Sequence, residues 1–301
     1  MLINKIIVTG ATGAVGSAVV RKALECGWHV TCLVHEGSNR VSNIPDHENV
    51  DIIECNVSNY YQLDLKETFD VFIHLSWEKT FGAQRDDVDI QVKNIQYTLD
   101  ACRLAKRLGC KKFIGAGSQA EYGVTDVDLA PILRVNPESG YGIAKFASGK
   151  MSALLCKQIG LEFNWVRILS VYGPNDGKKT FISYLIDEFK AGNSPKVTRC
   201  EQIWDYLYSD DAGSAFLAIA KRGIDGKTYV LGSGDGRKMS EFVEDIRLAI
   251  NPSIEVQYGA IGYYPHQPMH LVADISELTA DTDWKPNTKF VDGIKQILEW
   301  Q

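Results

Sequence analysis

The stretch "VTGATGAVG", Val8–Gly16, decides how the chain is interpreted, because it joins a short apolar run to a helical one. Gly10, Gly13 and Gly16 form the pattern G-x-x-G-x-x-G. Where side chains are absent, the backbone can approach a pyrophosphate, and the N–H groups at the helix N-terminus attract its charge. Glycine also serves in plain tight turns, but a position after a strand and before a helix favours nucleotide binding.

The first half of the chain alternates short apolar strands with helical segments. The predicted strands are 6–9, 29–34, 50–57, 69–77, 111–118 and 162–173, and the predicted helices are 15–25, 88–108 and 142–158. Continuous apolar strands separated by helices indicate a parallel sheet covered on both faces, joined by right-handed crossovers. The predicted fold class is α/β: a Rossmann-type doubly wound parallel sheet with a smaller C-terminal substrate-binding lobe.

The pattern becomes looser after residue 172. We predict a dinucleotide-binding domain over 1–172, with the segment of about 203–232 returning to it, and a smaller substrate-binding lobe over 173–202 and 233–301. In this part the predicted helices are 181–191, 210–222, 240–250 and 291–300, and the predicted strands are "TYVLG" (228–232) and "SIEVQYG" (253–259).

Composition narrows the class of protein. The 301 residues are 45% apolar and 23% charged, with a net charge of −6 and no run of basic residues, which argues against a nucleic-acid partner. No apolar run is long enough to span a bilayer, and no signal-peptide pattern is present. Seven cysteines without a CxxC pair favour reduced core thiols over a metal or disulfide framework. We therefore expect a cytoplasmic protein without a membrane partner or a bound metal.

The segment "LVHEGSNR", Leu33–Arg40, ends the second predicted strand, where a dinucleotide fold places the group that holds the adenosine ribose. Glu36 would suit the free ribose hydroxyls of NAD. His35, Ser38 and Arg40 would suit the 2′-phosphate of NADP. The segment leaves the choice between NAD and NADP open.

"YGIAK" places Tyr141 and Lys145 four residues apart at the start of a helix, and hence on one face. The unperturbed pKa of tyrosine, about 10, is too high for neutral acid–base work, and a nearby ammonium favours the phenolate. Ser118 ends the fifth predicted strand, at the edge where α/β ligands bind. Ser118, Tyr141 and Lys145 are therefore the candidate catalytic residues.

Longer motifs carry a family resemblance over nearly the whole chain. They are "TGATGAVG" (9–16), "ECNVSN" (54–59), "DVFIHLSW" (70–77), "RILSVYGPND" (167–176), "WDYLYSDDAGSAF" (204–216) and "DWKPNTKFVDGI" (283–294). Together they resemble the extended short-chain dehydrogenases/reductases of the NAD-dependent epimerase/dehydratase family, which modify nucleotide sugars. The chain departs from the family pattern at Asn56, Ser76, Ser170 and Trp204, where Asp, Ala, Asn and Arg are usual.

The resemblance implies a role for each matched position. Tyr141 would be the acid–base, Lys145 would hold the nicotinamide ribose and tune Tyr141, and Ser118 would hydrogen-bond the reacting sugar oxygen. The implied cofactor-binding residues are Gly10, Thr12, Gly13, Ala14, Val15, Gly16, His35, Glu36, Arg40, Asn56, Val57, Leu75, Ser76, Tyr141, Lys145 and Ile168. The implied substrate-binding residues are Trp77, Gln119, Ser170, Trp204 and Gln267, with His266 and Arg167 as further candidates for either a ligand contact or a plain structural role.

The resemblance also implies a reaction class and an assembly. The substrate would be a nucleoside-diphosphate hexose, oxidised or reduced at C4 with NAD or NADP. Two helices, 88–108 and 142–158, would form the contact of a homodimer.

The residues after Ser118 narrow the reaction. The family's dehydratases carry an acidic pair there, whereas this chain has Gln119 and Ala120, with Glu121 one position too late. If this stretch is extended, Ala120 and Glu121 face opposite sides. We therefore predict a 4-epimerase or a 4-keto-sugar reductase, not a 4,6-dehydratase. The alternatives are a short-chain reductase of a non-nucleotide ketone and a non-catalytic NAD(P)-sensing protein.

Overall fold

The computed structural model describes residues 3–80, 82–264 and 267–300. Its strands are β1 (Lys5–Thr9), β2 (His29–Val34), β3 (Val50–Glu54), β4 (Val71–His74), β5 (Lys112–Ser118), β6 (Glu162–Ile168), β7 (Ser170–Tyr172), β8 (Ile203–Trp204), β9 (Tyr206–Tyr208), β10 (Thr228–Leu231), β11 (Arg237–Lys238) and β12 (His270–Leu271). Its α-helices are α1 (Ala14–Glu25), α2 (Val88–Arg107), α3 (Gly140–Ile159), α4 (Phe181–Lys190), α5 (Ser209–Arg222), α6 (Met239–Ile250), α7 (Ser276–Thr282) and α8 (Phe290–Glu299).

The main sheet has seven parallel strands in the order β10-β6-β5-β4-β1-β2-β3. The chain winds outward from β1 to β3 and then returns to β4 on the other side. The strand order therefore reverses between β1 and β4, and a ligand crevice is expected at their carboxyl ends. The predicted α/β, Rossmann-type class is confirmed.

Two strand predictions were wrong in the second half of the chain. The predicted strand 162–173 is divided at Leu169: β6 belongs to the main sheet, and β7 pairs with β9 in a separate two-stranded sheet. "SIEVQYG" forms no strand and contributes only an isolated bridge between Gln257 and Lys196. Short strands of this kind depend on distant partners, which local sequence does not specify.

Both faces of the sheet are covered by helices. On one face α1 packs against α5, and on the other α2 packs against α3. Each interface joins a separate apolar core, one including Val19 and Phe216 and the other Leu104 and Phe113. All seven cysteines are unpaired, and all except Cys26 are buried.

Trp165 of β6 lies in a slot lined by three glycines. A Cβ atom built on Gly115 or Gly117 of β5 would lie 2.4 Å from the indole, and one on Gly149 of α3 would lie 2.8 Å from it. Because none of the three glycines carries a side chain, the indole fits between β5 and α3 and α3 can lie close to the sheet. The slot therefore sets the distance between the N-terminal part of α3 and the end of β5.

The C-terminal part of the chain contributes to two layers. β10 joins the edge of the main sheet beside β6. Helices α4, α6 and α8 enclose a further apolar core, next to a three-stranded sheet of β11, β8 and β12. The division into a dinucleotide-binding domain and a smaller lobe remains a prediction. β10 is the part of the segment 203–232 that rejoins the main sheet.

No helix within the described residues is both long enough and apolar enough to cross a membrane.

Candidate active site

The glycine turn connects β1 to α1 at the reversal of strand order. Gly10 has a φ of 71°, and a Cβ there would lie 2.8 Å from the Leu75 carbonyl carbon. A Cβ on Gly16 would lie 2.1 Å from the Gly10 carbonyl oxygen. Both glycines are therefore required by the fold itself.

Gly13 differs, because the protein does not require a glycine there. Its φ is −84°, and the nearest atom to an added Cβ would be 3.5 Å away. Gly13 precedes α1, whose first turn has no side-chain cap. Open space in front of uncapped N–H groups suits an anionic group such as a diphosphate. The turn therefore fits the dinucleotide that its sequence predicts.

A cleft of about 240 Å³ lies beside this turn. The predicted cofactor-binding residues that line it are Gly10, Thr12, Gly13, His35, Arg40, Val57, Leu75 and Ser76, together with the predicted substrate-binding residue Trp77. The predicted residues outside the lining are Ala14, Val15, Gly16, Glu36, Asn56, Tyr141, Lys145 and Ile168. The first three form the start of α1, and Ile168 ends β6 against the core.

Of the residues predicted to distinguish NAD from NADP, His35 and Arg40 line the cleft and Glu36 and Ser38 do not. The Arg40 guanidinium lines the cleft and donates to the Asn175 carbonyl oxygen at 2.8 Å. Glu36 lies just outside the lining, where its N–H donates to Asn56 Oδ1 at 3.2 Å. The His35 ring bonds the Glu36 carbonyl oxygen at 2.7 Å.

A buried hydrogen-bond network fixes the β4 side of the cleft. Thr9 Oγ1 accepts from the N–H groups of Leu75 and Ser76 and lies 2.9 Å from His74 Nδ1. Burial lowers the pKa of His74 to about 3, so its ring is neutral. Neutral Nδ1 can then accept the Thr9 hydroxyl proton. This network holds Leu75 and Ser76 against the glycine turn.

The three candidate catalytic residues come together at the end of β5. Ser118 is its last residue, and Tyr141 and Lys145 lie in the first two turns of α3. Lys145 Nζ donates to the Ala116 carbonyl oxygen at 2.7 Å and lies 3.8 Å from the centroid of the Trp77 ring. The Tyr141 ring meets Trp77 edge-on at 5.9 Å. Trp77 therefore connects the catalytic pair to the cleft that it lines.

Electrostatics at Tyr141 involve a residue that sequence reasoning missed. Burial raises the pKa of Tyr141, while the Ser118 hydroxyl and the Arg85 guanidinium oppose that rise. Arg85 Cζ lies 4.7 Å from the Tyr141 ring centroid, nearer than Lys145 Nζ at 5.8 Å. Burial lowers the pKa of Lys145 to about 7, against a weaker opposing effect of Glu121. The permanent positive charge nearest the ring is thus Arg85.

Arg85 lies in a short 3₁₀ helix, Gly82–Asp86, in the connection from β4 to α2. It belongs to none of the recognisable motifs. The available signal was its topological position, since connections that follow the carboxyl ends of the strands surround ligands in this fold class.

The segment after Ser118 is helical, which corrects the extended conformation assumed in the sequence analysis. Gln119–Glu121 forms a 3₁₀ turn, and the Ser118 side chain accepts from the Ala120 N–H at 3.2 Å. Glu121 Oε1 accepts from the Ser118 N–H at 2.9 Å, which completes a capping box. "SQAE" carries the sequence pattern of that motif. Glu121 is therefore directed back under Ser118, not along a strand.

Glu121 is also engaged by two residues of β6. Its carboxylate accepts from Trp165 Nε1 at 2.9 Å and from Arg167 Nε at 2.8 Å, and its exposed fraction is 1%. Arg167 donates further to the Tyr122 hydroxyl at 3.0 Å. Of the two roles considered for Arg167, the structure places it in the ion pair. The buried pair supports Ser118 from below.

The predicted substrate-binding residues lie in different places. Gln119 lines a second cleft of about 410 Å³ together with Arg85, beside the N-terminus of α3. Ser170 and Trp204 bond each other, with the indole N–H donating to Ser170 Oγ at 2.8 Å. Gln267 donates to the Pro268 carbonyl oxygen. The prediction for His266 falls outside the described residues.

Comparison with known proteins agrees with these features. The sequence profile of the NAD dependent epimerase/dehydratase family matches residues 6–232. The chain is 25% identical over 98% of its length to the CDP-abequose synthase of Salmonella typhimurium, of which 97% is covered. It is also 25% identical over 98% of its length to the dTDP-glucose 4,6-dehydratase of Escherichia coli, of which 93% is covered.

A solved structure shares the fold. It is the UDP-N-acetylglucosamine 4-epimerase from Methanobrevibacter ruminantium M1, solved in complex with UDP-N-acetylmuramic acid, with a TM-score of 0.90 at 23% identity. The alignment covers 100% of this chain and 98% of that one. The three similar proteins are named for three different reactions, so their names do not select one. The family match and the fold agree that the chain is an enzyme of the NAD dependent epimerase/dehydratase family.

Proposed function

We propose that this enzyme acts at C4 of the hexose in a nucleoside-diphosphate sugar, with NAD or NADP as its cofactor. The observation that carries the proposal is the position of Trp77. It lines the cleft beside the glycine turn and contacts both Tyr141 and Lys145. A dinucleotide held by the glycine turn would therefore meet the sugar at the catalytic pair.

In this proposal each catalytic residue has one task. A bound nicotinamide dinucleotide supplies the hydride acceptor or donor. Tyr141 exchanges a proton with the C4 oxygen, and the Ser118 hydroxyl hydrogen-bonds the same oxygen. Lys145, whose pKa is lowered to about 7 by burial, can donate hydrogen bonds in either protonation state.

The surroundings of Ser118 support this chemistry without water elimination. Gln119 offers an amide, Ala120 a methyl group, and the Glu121 carboxylate is buried under three hydrogen bonds. None of these is an acid or base free to remove a proton from C5. We therefore propose that the enzyme is not a 4,6-dehydratase.

The residues at the adenosine end favour one of the two remaining reactions. Arg40 lines the cleft whereas Glu36 does not, and a cation there suits the 2′-phosphate of NADP. A 4-keto-sugar reductase exchanges its cofactor at every turnover and is commonly served by NADPH. The second candidate is a 4-epimerase with retained NAD, which is favoured by Glu36, two residues after β2, because a carboxylate there suits the free ribose hydroxyls of NAD.

The test is to incubate purified enzyme with UDP-, dTDP-, CDP- and GDP-hexoses and their 4-keto derivatives, and to identify products by NMR. NADPH-dependent reduction would identify the reductase, and interconversion of C4 epimers without added cofactor would identify the epimerase. Tyr141→Phe should retain cofactor binding and lose turnover by about 10²–10⁴-fold. A 4-keto-6-deoxy product, turnover of non-nucleotide ketones only, or an active Tyr141→Phe variant would overturn the proposal.

We also propose a homodimer that forms through α2 and α3. Large apolar side chains are exposed along these helices: Val88 is 67% exposed and Val92 59% on α2, and Ile143 is 53% and Leu154 64% on α3. Exposed apolar groups on two adjacent helices indicate a protein interface. Burying them against the same pair in a second copy would form a four-helix contact.

A further inference from the structure

Arg85 contacts the ring of Tyr141 from outside the recognisable catalytic motif. Its Cζ lies 4.7 Å from the ring centroid, a distance at which a cation and an aromatic ring attract each other. Its Nε is buried and has no hydrogen-bond partner among the described residues. A buried donor without a partner costs free energy. A hydrogen bond from Nε therefore does not hold the Arg85 side chain in this position, and its packing against the surrounding residues does.

The backbone around Arg85 is fixed to the start of α3. Asp86 Oδ1 accepts from the Gly140 N–H at 2.7 Å. A Cβ on Gly140 would lie 3.1 Å from the Arg85 carbonyl oxygen and 3.3 Å from Asp86 Cα, so the close approach favours glycine. Gln91 of α2 donates to the Gln84 carbonyl oxygen. The 3₁₀ helix thus contacts α3 at Gly140, the residue that precedes Tyr141.

Three charged side chains face Tyr141 from the elements packed around it. Lys145 of α3 lies 5.8 Å from the ring centroid, but its ammonium is directed to the Ala116 carbonyl oxygen. Glu121, below Ser118, forms an ion pair with Arg167, and its carboxylate raises the pKa of Tyr141. The Arg85 guanidinium lies over the ring itself.

We propose that Arg85 is a positioning residue that stabilises the ionised form of Tyr141 and orients its ring for proton exchange with the substrate. The proposal rests on the function proposed above, because it takes Tyr141 as the acid–base. A tyrosine is useful near neutral pH only if its phenolate is stabilised. Lys145 loses its charge near pH 7 because burial lowers its pKa to about 7. The Arg85 guanidinium, 4.7 Å from the ring centroid, places a second cationic group beside Tyr141.

The test compares Arg85→Gln, Arg85→Lys and wild-type enzyme. The ultraviolet absorbance of tyrosinate is titrated, and the Tyr141→Phe curve is subtracted so that Tyr141 alone is followed. An opposite charge within about 4–6 Å shifts a pKa by about 1–3 units. We therefore expect Arg85→Gln to raise the ionisation midpoint of Tyr141 by at least about one pH unit, and Arg85→Lys to restore most of the difference.

Two controls separate this effect from general damage. Arg222→Gln removes one positive charge from the end of α5, where the Arg222 side chain is 53% exposed, and should leave the midpoint unchanged. In a Tyr141→Phe background, Arg85→Gln should add no change to the titration. Unchanged melting temperatures establish that each variant folds.

The titration needs no substrate, so it tests the role of Arg85 even if the enzyme turns over no nucleotide sugar. Where turnover is found, the limb of the kcat/KM profile that reports Tyr141 should move with the midpoint: the acidic limb if Tyr141 accepts the proton, and the basic limb if it donates the proton. A Tyr141 midpoint that is the same in wild type and Arg85→Gln would overturn the proposal, and would leave the proposed function intact. Loss of activity in Arg85→Gln with an unmoved pH profile would also overturn it.

Discussion

Replacing Gly13 or Gly16 with alanine separates the two uses of glycine in the first turn. At Gly16 the new methyl group would lie 2.1 Å from the Gly10 carbonyl oxygen and 2.8 Å from Ala11 Cα, so backbone must move. At Gly13 the nearest atom would be 3.5 Å away and φ is −84°, which alanine adopts freely. One substitution therefore perturbs the fold, and the other fills only the space in front of α1.

The magnitudes differ enough to measure. Overpacking of this kind costs about 1–3 kcal/mol, so Gly16→Ala should lower the melting temperature by about 2–6 °C at about 2 °C per kcal/mol for a chain of this size. Gly13→Ala at a helix N-cap should cost less than about 1 kcal/mol, or about 2 °C. Without ligand, Gly13→Ala is expected to resemble wild type and Gly16→Ala to be less stable.

The gain in melting temperature on adding ligand should be smaller for Gly13→Ala than for wild type. A dinucleotide at 100 times its Kd stabilises the native state by about 2.7 kcal/mol, which is about 5 °C here. A hundredfold weaker affinity in Gly13→Ala would reduce that gain to about 0.4 kcal/mol, below about 1 °C. The assay is a thermal melt of wild type and both variants, with and without NAD and NADPH. Undiminished protection of Gly13→Ala would refute the assignment of the open space to the diphosphate.

Three further predictions follow from the charges and the exposed helix faces. Burial lowers the pKa of Lys145 to about 7, so between about pH 7 and pH 10 the folded chain binds fewer protons than the unfolded chain. The free energy of unfolding therefore rises by up to about 1.4 kcal/mol per pH unit above pH 7 from this group. Chemical denaturation of cofactor-free protein at pH 7 and pH 9 should show a smaller rise for Lys145→Met than for wild type. Glu121→Gln leaves the Arg167 charge uncompensated and should destabilise the chain by about 3–5 kcal/mol in urea; an unchanged midpoint would contradict the assigned burial of the pair. Leu154→Glu should convert a dimer to a monomer in size-exclusion chromatography with light scattering, and an unaltered mass would place the interface elsewhere.

The central sheet could be predicted from the sequence because its strands are continuous apolar runs separated by helices. β2 was predicted with the observed bounds, and β1 and β5 to within one residue. The short strands of the C-terminal part could not, since each is two or three residues long and is formed by distant pairing, as where His270 of β12 is in register with Ile203 of β8. Hydrophobic periodicity has too few residues there to act on.

At the candidate site, the residues that belong to motifs could be predicted from the sequence, but the charged groups around Tyr141 could not. Ser118, Tyr141 and Lys145 could be named from spacing and position. The extended conformation assumed after Ser118 was wrong, although the capping-box pattern ending at Glu121 was present in the sequence. Arg85 could not be placed on Tyr141, because that contact depends on how a connecting segment docks onto α3.

The slot that holds Trp165 has a consequence for how this enzyme can change over time. Gly115, Gly117 and Gly149 come from two elements, and each is kept small by the same indole. A side chain added at Gly115 or Gly149 is tolerated only after the indole has been replaced by a smaller group, which would itself leave a cavity, and one added at Gly117 would also lie 2.5 Å from Glu121 Oε1. The substitutions that are possible at the three glycines therefore depend on the residue at position 165. In a viable series of substitutions, Trp165 changes before any of the glycines. Libraries that randomise the three glycines singly should recover only glycine, whereas libraries that also vary Trp165 should recover new residues at Gly115 and Gly149.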